Sequence, residues 1–165
     1  MEHPKAIGET SQLAIMLGLD RAGYAFFVPF GENTRYDLVI DEGDRLARVQ
    51  CKTGRLKTGA VRFRACSSYA HHPNPKLLKR DYLGEIDYFG VYCPETKGVY
   101  LVPIEHVRVR REGALRVDPT RNGQADKVRL AADYQIAQIS IGGAPGRRRD
   151  QPAGRPGVPA SSPAG

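Results

Sequence analysis

The chain of 165 residues has no tryptophan, two methionines and three cysteines. Cys51, Cys66 and Cys93 are odd in number, which argues against a closed disulfide framework, and their spacing matches no zinc-ligand pattern. They read as reduced thiols, and a cytoplasmic protein is expected. No run of 18 apolar residues exists, which excludes a membrane-spanning helix. Residues 1–20 lack a basic n-region and a long apolar stretch, so no secretory signal is expected. Large aliphatic residues are also missing from residues 142–165, apart from Val158. That stretch holds six Gly, five Pro and four Ala, and cannot bury enough apolar area to offset its ordering entropy. One domain over residues 1–141 with a disordered tail over 142–165 is therefore expected. The tail carries four Arg against Asp150, so the body holds +4 of the net charge of +7. A basic soluble domain favours a polyanionic partner, although charge of this size is weak on its own.

Residues 5–22 read as a helix. Leu13, Met16 and Leu17 recur at three- and four-residue spacing, and Gly23 stands where a C-terminal glycine belongs. Glu9, four residues before Leu13, falls on the same stripe and is expected to face the sheet. Residues 24–29 read as a short buried strand and 30–35 as a loop. Residues 36–40 and 45–52 read as antiparallel strands around a turn at Asp41-Glu42-Gly43-Asp44. Alternation puts Ala47, Val49 and Cys51 on one face and Arg48, Gln50 and Lys52 on the other. Asp37 shares a face with Val39, opposite Tyr36, Leu38 and Ile40. Residues 53–59 read as a loop, 60–65 as a strand and 71–80 as a polar loop. Residues 86–92 and 98–103 read as strands joined by a turn. Residues 103–108 open a short helix, 115–117 are extended, and 124–134 are helical or irregular. No internal repeat is present.

The chemistry concentrates in Glu9, Asp37, Gln50 and Lys52. Gln50 and Lys52 lie about 7 Å apart along one strand face. Asp37 begins the neighbouring strand, and a helix carrying Glu9 can pack across the sheet. Hard oxygen donors of this kind suit a divalent cation, Mg²⁺ by default. Such a cation polarises a phosphoryl oxygen, and a nearby lysine can orient the attacking water and balance transition-state charge. Plainer readings exist: a turn residue for Asp37, a first-turn acid for Glu9, a solvated strand face for Gln50 and Lys52.

An acid on the first helix is followed by Pro29-Phe30-Gly31-Glu32-Asn33-Thr34-Arg35-Tyr36-Asp37 and then Val49-Gln50-Cys51-Lys52. This pattern resembles the PD-(D/E)XK nuclease superfamily, and within it the endonucleases associated with group I introns. The segments Ile86-Asp87-Tyr88-Phe89-Gly90-Val91-Tyr92, Val99-Tyr100-Leu101-Val102-Pro103, Asp118-Pro119, Asn122-Gly123-Gln124 and Ala132-Asp133-Tyr134 are similar to that group as well. The resemblance covers about residues 5–137. It implies an α/β, restriction-endonuclease-like core: a mixed central sheet flanked by helices. It implies a metal site with Asp37 as central ligand, Glu9 as a direct or indirect ligand, Gln50 as a neutral oxygen donor and the Cys51 carbonyl as a further ligand. Lys52 would orient the water. Gln50 departs from the acid common at this position, which removes one negative charge from the cage.

The expected function is hydrolysis of phosphodiester bonds by a metal-dependent DNA endonuclease, with Mg²⁺ as cofactor and Mn²⁺ able to substitute. Double-stranded DNA is the expected partner. A homo-oligomer is expected if both strands are cut, because one domain of this size presents one site. Candidate DNA contacts are Asn33, Thr34, Arg35, Arg55, Lys57, Arg62 and Arg64, with Lys52, Lys76, Lys79 and Arg80 also basic; Arg62 and Arg64 share one strand face. His71-His72-Pro73-Asn74 lacks partners at ligand spacing, and Arg147-Arg148-Arg149 adds nonspecific affinity or solubility. Two alternatives stand beside this reading: a non-catalytic DNA-binding module on the same fold, and a nuclease acting on RNA or branched DNA.

Overall fold

The computed structural model describes residues 3–31, 33–71, 74–107, 111–118 and 128–141. One α-helix, α1 (Pro4–Arg21), is followed by β1 (Phe26–Phe27), β2 (Leu38–Asp41), β3 (Leu46–Thr53), β4 (Arg55–Lys57) and β5 (Ala60–Arg64). Then come β6 (Ser67–His71), β7 (Asn74–Arg80), β8 (Tyr88–Cys93), β9 (Gly98–Pro103), β10 (Glu112–Arg116) and β11 (Gln135–Gln138). The central sheet has six strands in the order β1-β2-β3-β8-β9-β11. It is mixed: β3 and β8 run parallel and the other neighbours antiparallel. Parallel neighbours need a crossover, usually a helix. Here β4–β7 make it, as the hairpins β4–β5 and β6–β7.

Helix α1 covers one face of the sheet. Its buried stripe is Ser11, Ala14, Ile15, Gly18 and Leu19, packed with Leu38, Ile40, Ala47, Val49, Tyr92 and Val99. Each fully buried Ile or Leu there contributes about 1.5–3 kcal/mol over its exposed state. The stripe is rich in small residues because the backbones come close: a Cβ on Gly18 would stand 2.8 Å from Val99 Cγ1. The stripe expected from Leu13, Met16 and Leu17 is therefore corrected. Leu13 is 63% and Leu17 40% exposed, and Glu9, in phase with them, faces solvent rather than the sheet. Ser11, Ala14 and Gly18 let the backbones approach while Ile15 and Leu19 fill the space between them; the period was right and the phase differs.

The other face is covered not by a helix but by the three-stranded sheet β10-β5-β4. Val61, Phe63 and Leu115 from it pack with Phe89, Val91 and Val102 of the central sheet. The crossover also corrects two loops: residues 55–57 form β4, and 74–80 form β7. The β4–β5 turn is Thr58-Gly59, with φ of 51° and 70°. Both residues are left-handed, as a two-residue hairpin whose twist matches its strands requires. The segment expected to be a buried strand near residue 24 is a two-residue edge strand with Phe27 half exposed. The short helix at 103–108 is a single 3-10 turn, Ile104–His106. Strand β11, unforeseen, closes the far edge against β9. The tail at 142–165, residues 119–127 and the second histidine of the His71-His72 pair lie outside the described residues.

Candidate active site

Strands β2 and β3 build the site. Leu38 pairs with Val49, and Asp37 N donates to Val49 O at 2.9 Å, so Asp37 stands beside Gln50 on the face away from α1. Asp37 Oδ2 accepts from Gln50 Nε2 at 2.6 Å and from Cys51 N at 2.8 Å. Gln50 Nε2 also reaches the Cys51 carbonyl oxygen at 3.4 Å. A carboxylate oxygen and a carbonyl oxygen thus converge on one point, which the amide nitrogen fills. Turning that amide over presents Gln50 Oε1 in place of Nε2 beside the other two oxygens, and neighbouring hard oxygen donors of this kind are what a divalent cation takes. The donor set fits a divalent ion. It contains a single carboxylate, in keeping with the absence of any group of three His, Cys, Asp or Glu placed for a metal among the described residues.

Burial pushes the Asp37 carboxyl above its ordinary value, against the Cys51 N–H and the Lys52 charge, which both favour the carboxylate. The Cys51 thiol is pushed well up by burial and then by the Asp37 charge, with Lys52 opposing. It stays protonated at neutral pH, so Cys51 offers the site its carbonyl and not a thiolate. Lys52 Nζ donates to Tyr82 Oη at 3.0 Å.

The structure puts Asp37, Gln50 and Lys52 on one face as expected from alternation, and the Cys51 backbone, whose carbonyl the resemblance implied, lies beside them. It does not bring Glu9 to them: α1 lies on the opposite face of the sheet, and Glu9 is exposed with no hydrogen bond or ion pair to these four. Ser11, two residues on, is hydrogen-bonded to β3 through Thr53 Oγ1 at 2.6 Å. Asn33 and Thr34 are exposed in the loop before Asp37, with Thr34 Oγ1 donating to Tyr36 O at 2.8 Å. Arg35 turns inward. Its guanidinium donates to Glu85 Oε2 at 2.5 Å, Ser67 Oγ at 2.8 Å and the Asp81 carbonyl at 2.7 Å. Arg80 is likewise paired with Glu85.

Arg55, Lys57, Arg62 and Arg64 share the outward face of the three-stranded sheet. Arg55 pairs with Arg62 and Lys57 with Ala60. The register adds Arg116, opposite Ala60 on β10, which the sequence reading missed. Two acids temper this face, Glu112 at 2.7 Å from Arg62 and Glu95 at 3.8 Å from Arg55. Tyr82 was also missed; nothing local marks it, because it reaches the site only through the crossover. His106 is structural, with Nδ1 3.0 Å from Tyr134 Oη.

Residues 2–137 match the family described as PD-(D/E)XK endonuclease, and the chain belongs to that family. The family's nucleases use divalent metal ions. The solved structure of the bacterial homing endonuclease I-Ssp6803I is similar in fold, with a TM-score of 0.64 and 22% identity over 81% of this chain and 89% of that one. A search of the curated proteins found no match. No helix of the described residues is long and apolar enough to cross a membrane.

Proposed function

We propose that this chain is a Mg²⁺-dependent endonuclease that hydrolyses phosphodiester bonds in double-stranded DNA, with Mn²⁺ able to replace Mg²⁺. The observation that carries the reading is the convergence of Asp37 Oδ2 and the Cys51 carbonyl on the Gln50 amide, with Lys52 next along the strand. Asp37, Gln50 and the Cys51 carbonyl would hold the ion. When bound, it supplies Lewis-acid polarisation of the phosphoryl oxygen and a lower pKa for water. Lys52 supplies a fixed positive charge where negative charge builds up in the transition state. Asn33 and Thr34 approach the substrate from the loop before Asp37. Arg55, Lys57, Arg62, Arg64 and Arg116 contact the phosphate backbone, which positions the duplex without reading its sequence. Arg35 joins them through its remaining N–H groups. Glu9 is exposed on the helix of the opposite face, and no step here is assigned to it. Cutting both strands calls for two such sites, and a homo-oligomer supplies them.

The test is plasmid and mixed-duplex cleavage with Mg²⁺ or Mn²⁺ by the parent, Asp37→Ala and Lys52→Ala. Metal-dependent cutting lost in both variants supports the reading, with Lys52→Ala lowering turnover more than DNA affinity. Cutting by Asp37→Ala equal to the parent's would refute it. The neutral Gln50 in place of an acid favours a second reading, a DNA-binding module without catalysis. DNA binding with no cutting, and no saturable Mg²⁺ site by calorimetry, would establish that one instead.

A further inference from the structure

Lys52 is a flexible four-carbon arm, and nothing in β3 decides where its ammonium rests. The crossover decides it. Lys52 Nζ donates to Tyr82 Oη at 3.0 Å and lies 4.7 Å from the centre of the Tyr82 ring. Tyr82 is only 5% exposed, and its ring meets Phe89 edge-on at 5.7 Å and 88°. The Arg35 guanidinium carbon stands 4.2 Å from the centre of the same ring. Arg35 is fixed in turn by Glu85, Ser67 and the Asp81 carbonyl. Two cations attracted to one ring would repel each other if both were unpaired; Arg35 is paired with Glu85, which it shares with Arg80, whereas Lys52 has no carboxylate partner of this kind among the described residues.

We propose that Tyr82 is the positioning residue of this site: its hydroxyl aims the Lys52 ammonium, and the Arg35–Glu85 pair holds the Tyr82 ring in place. This rests on the endonuclease reading above. The chemistry of the acceptor matters. A carboxylate would hold the ammonium equally well but would cancel its charge. A neutral hydroxyl fixes one of its three N–H groups and leaves the charge, with two donors, for a phosphate. No carboxylate among the described residues forms an ion pair with Lys52.

The test compares the parent, Tyr82→Phe, Lys52→Ala and the double variant in Mg²⁺-dependent cleavage. It adds a lysine-ammonium NMR spectrum of parent and Tyr82→Phe. Tyr82→Phe keeps the ring and loses only the hydroxyl. Its kcat should fall about tenfold, the loss of one charge-assisted hydrogen bond, with DNA affinity unchanged. In the Lys52→Ala background it should cause no further fall, because the two residues act through one contact. The parent should show a slowly exchanging Lys52 ammonium signal that Tyr82→Phe abolishes. An unchanged kcat, additive falls, a weaker DNA affinity at constant kcat, or no protected ammonium in the parent would each overturn the proposal. A protected ammonium in a parent that cuts nothing would keep the contact, refute the endonuclease reading and remove the catalytic purpose proposed for Tyr82.

Discussion

Asp37→Asn should make the metal-free protein more stable at neutral pH while destroying its activity. The carboxyl sits half-buried, and burial outweighs the Cys51 N–H and the Lys52 charge in raising its pKa. An acid whose pKa is higher folded than unfolded contributes stability that is complete below the unfolded value and is lost as pH rises through the folded one. At pH 7 that contribution is gone, and the folded state bears the cost of a desolvated carboxylate. Asparagine removes the charge, and its Oδ1 can still accept from both Gln50 Nε2 and Cys51 N, as Asp37 Oδ2 does at 2.6 and 2.8 Å. Solvent reaching the carboxylate trims the gain, and we expect about 0.5–1 kcal/mol, the low end for neutralising a functional site. Urea unfolding in EDTA would show this as a midpoint higher by about 0.3–0.7 M, given an m-value near 1.5 kcal/mol/M. The gap should close on acidification below the ordinary Asp range, where the parent's carboxyl is protonated as well. Mg²⁺ should raise the midpoint of the parent and leave the variant unmoved, because only a protein that binds the ion gains by mass action. A variant less stable than the parent in EDTA, by an amount independent of pH, would refute the reasoning and make Asp37 a structural brace.

Gln50→Glu sets two carboxylates against each other where one hydrogen bond stood. Its stability in EDTA at pH 7 should fall by about 1–3 kcal/mol, and its calorimetric Mg²⁺ affinity should rise; equal stability would show that Gln50 does not rest on Asp37. Arg62→Ala and Arg116→Ala should each weaken DNA binding across all sequences and reduce the salt slope of log K by about 1, measured by fluorescence anisotropy from low to moderate salt. An unchanged slope would take that residue off the phosphate-contacting face. Thr58→Gly should raise stability by about 1 kcal/mol in thermal unfolding, since Thr58 holds a φ of 51° that glycine adopts freely.

Much of the site could be read from strand alternation alone. A period of two is fixed by backbone geometry, so once β3 was recognised, Gln50 and Lys52 had to share a face, and the preceding hairpin had to set Asp37 beside them. Arg62 and Arg64 shared a face for the same reason. The helix was recognised by its period, but its orientation was not. Which stripe faces inward depends on how closely the two backbones approach, and Gly18 against Val99 is a fact of packing that hydrophobicity does not reveal. The mistaken phase carried Glu9 with it.

Local periodicity in the sequence put Asp37, Gln50 and Lys52 on one strand face, while the family, the mixed sheet and the Cys51 carbonyl came with the resemblance carried by runs of residues read in order. Only the tertiary structure decided that the crossover from β3 to β8 is made of hairpins. That choice covers the second sheet face and lines up five basic residues across β4, β5 and β10. It also returns Tyr82 to Lys52 across 30 residues of sequence. Contacts made through loop closure leave no local pattern, since their partners are chosen by the packing of the whole chain.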